Sequence, residues 1–73
     1  MAITLTRELA FASGQDAANA QMRKANRSKW NDDDAALAAT TTNRLLMHVP
    51  AEFGGLQGIP FSVKQMLALG LAA

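Results

Sequence analysis

His48 is the single histidine of this 73-residue chain, and there is no cysteine. Nucleophilic catalysis would need Ser13, Ser28 or Ser62 brought to that imidazole together with an acid. The Gly-x-Ser-x-Gly elbow is absent, so the local context for an activated serine is missing. A metal would find one imidazole and no thiolate to share. At the end of a helix His48 reads instead as a favourable C-terminal residue. Asp32, Asp33 and Asp34 are the densest acids. Calcium loops alternate their acidic ligands around a central glycine, and Asn31-Asp32-Asp33-Asp34 does neither. Gly54-Gly55-Leu56-Gln57-Gly58 lacks the Lys-Ser/Thr that completes a phosphate loop. No catalytic, cofactor or metal site is expected, and a non-enzymatic role follows.

One cluster has the composition of a phosphate-binding surface. Arg23, Lys24, Arg27 and Lys29 hold four of the seven basic residues within seven positions. They are the candidate nucleic-acid contacts. The competing reading is that cations gather at a helix C-terminus, where they meet its negative end. The Asp triplet also opposes DNA, because in a helix-turn-helix the start of the second helix enters the major groove. Nucleic-acid binding is therefore the alternative function. Asn26-Arg27-Ser28 matches a glycosylation acceptor, with no secretion signal to support it.

Three helices are expected to position these groups. The first covers 5–26, with Thr4 or Thr6 as N-cap. Leu5, Leu9 and Ala12 fall on one face, beside a stripe of Phe11, Ala18, Met22 and Ala25. Gly14 permits close helix approach or marks a bend. The second helix has the clearest start. Asn31 is a good N-cap, the three aspartates fill the positive first turn, and Trp30 before the cap reads as a staple joining the two helices, with an exposed anchor marking a binding site as the alternative. It runs from Asp32 to about Met47, with Ala35, Ala38, Thr42, Leu45, Leu46 and Val49 inward. Threonine hydroxyls are expected to bond back to the preceding turn. Pro50 ends this stretch.

Residues 50–61 hold both prolines and three of the five glycines, and read as a loop with one helical turn at Pro50 to Phe53. Phe53, Leu56, Ile59 and Phe61 are expected to pack it over the core. Ser62-Val63-Lys64-Gln65 matches a capping box and begins the third helix. The fold class is therefore all-α, a helical hairpin plus loop and C-terminal helix in one small domain, residues 1–73.

Composition sets the wider bounds. Hydrophobic residues make 49% of the chain, but 15 of those 36 are alanine, and the net charge is +1. A chain this small, with no disulfide and no evident metal, has little stability to spare, so a homo-oligomer or a protein partner is expected. Phe61 to Ala73 carries one charge, Lys64. Phe61, Met66, Leu67 and Leu71 are the candidate partner seam. No apolar run approaches 18 residues, Arg7 and Glu8 interrupt any signal-peptide core, and the absence of cysteine fits the cytoplasm.

The segment MRKANRSKWNDDD, residues 22–34, resembles a pattern in small bacterial and phage helical proteins. In these a helix ending Met-Arg-Lys is followed by Arg-x-x-Trp-Asn and an acidic helix start. The resemblance implies an accessory protein of phage or mobile-element type and carries over no active site.

Overall fold

A computed structural model describes residues 4–55 and 61–69. It is an all-α three-helix domain, with no strand among the described residues. Helix α1 spans Arg7–Lys24, α2 spans Asp32–Leu46 and α3 spans Val63–Leu69, with a single 3-10 turn at Ala51–Phe53.

The helix ends follow from local chemistry. Thr6 caps α1 by accepting the Leu9 N–H at 3.2 Å. At the other end Asn26 takes a left-handed φ of 59°, where asparagine is among the residues best tolerated. The Asn26 N–H donates to the Arg23 carbonyl at 2.9 Å and the Arg27 N–H to that of Met22 at 3.0 Å. These two bonds form a Schellman closure and turn the chain out of the helix. Asn31 then starts α2 through a capping box. The 3-10 turn and the Ser62–Gln65 box of α3 lie where the sequence places them.

Helices α1 and α2 form an antiparallel hairpin, in which Gln21 reaches Asp34 while Gly14 lies against Ala38 and Thr42. The buried line of α1 is Ala10, Gly14, Ala18 and Met22, one residue every four. Ala18 and Met22 of the expected stripe are buried and Phe11 packs against the same cluster, but the other expected positions are corrected. Leu9 is 40% exposed, and Ala12 and Ala25 also face outward. The physical reason is distance. The helices touch backbone to side chain, so the small residues take the inner face and the larger Leu9 is displaced from it. A Cβ on Gly14 would stand 2.0 Å from Thr42 Oγ1 and 2.5 Å from the Ala38 carbonyl oxygen. On α2, Ala35, Ala38, Thr42 and Leu46 are buried as expected, followed by Val49, whereas Leu45 is half-buried. Thr42 Oγ1 has no hydrogen-bond partner, so the expected back-bond is not made there.

Helix α3 packs against α2 and seats Met66 in the alanine-rich cluster of Ala18, Ala35, Ala38 and Ala39. Burying one such side chain is worth about 1.5–3 kcal/mol. The residue before its cap adds more. The Phe61 ring packs on Phe11 with centroids 5.4 Å apart, the Arg7 guanidinium lies over it at 5.7 Å, and Asn43 Nδ2 donates to the Phe61 carbonyl at 2.7 Å. Phe53, expected to cover the core, is 42% exposed. Leu56, Ile59 and Leu71 lie outside the described residues.

The close approach makes a direct prediction. Gly14→Ala should lower stability by about 1–3 kcal/mol through overpacking, although alanine gains about 1 kcal/mol in helix propensity. Adding Thr42→Ala should return part of the loss, because the Ala38 carbonyl still blocks the new methyl. Urea denaturation of the three variants checks this. A Gly14→Ala chain more stable than the parent contradicts it.

Candidate functional site

The residues singled out for phosphate contact cluster where α1 turns into α2, so the geometry begins with the buried carboxylate at that junction. Asp34 occupies the third position of α2 and has no solvent exposure. Its carboxylate accepts the Asn31 N–H at 3.0 Å, completing the capping box in which Asn31 Oδ1 takes the Asp34 N–H at 2.9 Å. Gln21 Nε2, from α1, donates to the same carboxylate at 2.7 Å. Arg27, from the connecting segment, pairs with it through two guanidinium nitrogens, one of them 3.0 Å from Oδ1. The carboxylate thus ties α1, the connection and α2 together. The Arg27 guanidinium, with the Asn31 and Gln21 donors, holds the Asp34 carboxyl far below its ordinary 3.8 despite burial. The hydrogen bond to Asp34 in turn raises Arg27.

Trp30 closes the same junction. It is 7% exposed, packs with Met22, Ala35 and Ala39, and donates its indole N–H to Asn19 Oδ1 at 2.7 Å. It is a staple between the helices, and the exposed-anchor alternative does not apply.

This arrangement revises the basic cluster. Arg23, Lys24 and Lys29 are exposed, but Arg27 is committed to Asp34. A phosphate would have to compete with a bidentate carboxylate for that guanidinium. Arg23 and Lys24 sit in the last turn of α1, where they also complement the helix dipole, and the exposed Asp32 and Asp33 open α2. The junction is therefore a mixed-charge surface with three exposed cations.

The expected partner seam divides as well. Met66 is fully buried in its own chain, so it is not available on a free surface. The reason is that α3 turns this side chain into the slot between the alanines. Phe61 is partly buried against the chain's own core. Leu67 is 40% exposed. Val63, one turn before it and absent from the expected set, is 42% exposed on the same stripe. Its position four residues before Leu67 is the sequence signal for it. Leu9, Met47 and Phe53 complete the large apolar side chains exposed among the described residues.

Among the described residues the chemistry-bearing groups do not converge. His48 is exposed, Ser62 caps α3, and the described residues hold no group of three potential metal ligands. No described helix is long and apolar enough to cross a membrane. No protein-family model, curated protein or solved structure matches this chain.

The buried carboxylate predicts a pH dependence. Its folded pKa is depressed, so its stabilising contribution is full above about pH 4 and is lost as pH falls below that value. Asp34→Asn should destabilise the chain at neutral pH far more than Asp33→Asn, and should flatten the acid limb of the stability profile. Denaturation from pH 7 to pH 2 measures both, and equal losses for the two variants would contradict the buried network. Tryptophan emission of the parent should be blue-shifted and poorly quenched by iodide. Red-shifted, readily quenched emission would place Trp30 in water.

Proposed function

We propose that this protein is a non-enzymatic helical interaction module that self-associates, and that it serves as a cytoplasmic accessory protein of phage or mobile-element type. The observation that carries the reading is the set of large apolar side chains left in water. Met47 is 70% exposed, and Val63 and Leu67, one turn apart on α3, are each about two-fifths exposed. Scattered single apolar residues are ordinary on protein surfaces, but two on successive turns of one short helix make a contact stripe. The small core supports the same reading. An alanine-rich interface buries little area per residue, and association adds stability that the isolated chain lacks. The catalytic alternative has no converging nucleophile, base or metal set among the described residues to support it. The nucleic-acid alternative is weakened by the engagement of Arg27 with Asp34. The phage or mobile-element assignment rests on the resemblance of residues 22–34.

Sedimentation equilibrium tests self-association. The weight-average mass should rise from 7.8 kDa toward twice that value as concentration increases from micromolar to millimolar. Leu67→Lys should weaken the association at least tenfold, about 1.4 kcal/mol. A chain that stays at its monomer mass throughout removes this reading.

A further inference from the structure

The three described methionines sit in sharply different environments. Met22 and Met66 are buried, at 4% and 0% exposure, in the cluster that also holds Trp30 and the alanines of the hairpin. Met47, at 70%, is the most exposed of the large apolar side chains described. It follows the last residue of α2 and belongs to neither of the two buried clusters. Its backbone is held by its neighbours. Leu46 and Val49 are buried on either side, the His48 N–H donates to the Leu45 carbonyl at 2.9 Å, and the Val49 N–H donates to the Leu46 carbonyl at 3.2 Å.

A thioether is a soft, polarisable nucleophile, and an exposed one is open to hydroperoxides. In that reaction a sulfur lone pair attacks the terminal peroxide oxygen. The O–O bond breaks, an S–O bond forms, and the proton of the transferred oxygen passes to the departing one. Sulfur gives up two electrons, and the peroxide leaves as an alcohol, or as water from hydrogen peroxide. The product is a polar, chiral sulfoxide. At Met22 or Met66 its oxygen would stand unpaired among apolar side chains, which disrupts a core. At Met47 it stands in water.

We propose that Met47 is a site of reversible oxidation by hydroperoxides, and that the fold carries the sulfoxide there without loss of structure. The buried pair is reached only when the core opens, so Met47 reacts first and by itself. Methionine sulfoxide reductases restore the thioether. The oxidation also replaces the most accessible apolar side chain by a polar one, and so weakens contact between copies. That regulatory consequence rests on the self-association proposed above, whereas the modification site does not.

Treatment of the folded chain with hydrogen peroxide at micromolar concentration tests the site. Trypsin places Met22, Met47 and Met66 in separate peptides, 8–23, 45–64 and 65–73, so mass spectrometry follows each one. Met47 should gain one oxygen at least about tenfold faster than Met22 and Met66, and the three rates should converge in urea. Helical circular dichroism should be unchanged when Met47 alone is oxidised, and a sulfoxide reductase should reverse the gain. Equal rates in the folded chain, or loss of helicity on oxidation of Met47 alone, overturns the proposal. Sedimentation equilibrium of the oxidised chain and of Met47→Gln, a polar side chain of similar length, reads the consequence for association. Both should associate at least about fivefold more weakly than the parent. Equal association of parent and oxidised chains overturns the regulation while leaving self-association standing. A parent that is monomeric at every concentration overturns both, and the peptide rates still decide the site.

Discussion

Asp34 places a carboxylate out of contact with solvent at the meeting point of two helices, and the hairpin is organised around keeping it satisfied. A buried charge without partners is among the costliest features a small protein can contain. Here each donor comes from a different piece of chain: Gln21 from α1, Arg27 from the connection, and Asn31 from the cap. Satisfying the carboxylate therefore fixes where α1 stops, how the chain turns and where α2 begins. The left-handed Asn26 and the buried Trp30 lie on the path between those donors. Once the junction is set, the register follows, bringing Gly14 against Ala38 and Thr42 within about two turns of it.

The same constraint explains why the basic cluster is weaker as a binding surface than its composition suggests. Four cations within seven residues look like a phosphate site when counted along the chain. In three dimensions one of them neutralises a buried acid, and two sit at the negative end of α1. Charge here does architectural work first. The large apolar side chains left exposed among the described residues are Leu9, Met47 and Phe53, with Val63 and Leu67 on α3.

The helix boundaries were legible because they depend on short-range chemistry. Asn31 before three aspartates and Ser62 three residues before Gln65 each specify a cap within one turn. The inner face of α1 was not legible, because alanines occur on every side of that helix and hydrophobic periodicity cannot choose among them. What chose was the approach distance set by Gly14, a property of the pair of helices. Asp34 was the legible signal passed over. It shares a face with Ala38 and Thr42 at intervals of four, which separates it from Asp32 and Asp33. The assignment of Met66 to a partner seam failed for a related reason, since an apolar residue looks the same whether its partner is this chain or another.

The alanine lining of the hairpin has a thermodynamic consequence. The heat-capacity change on unfolding scales with the apolar surface that water reaches, and alanine methyls hide little of it. Per residue this chain should therefore fall below typical globular domains in that quantity. A small heat-capacity change makes the curve of stability against temperature shallow and wide. The fold then rests on contacts whose strength varies slowly from cold to warm, and its cold-denaturation limit lies far from ambient temperature.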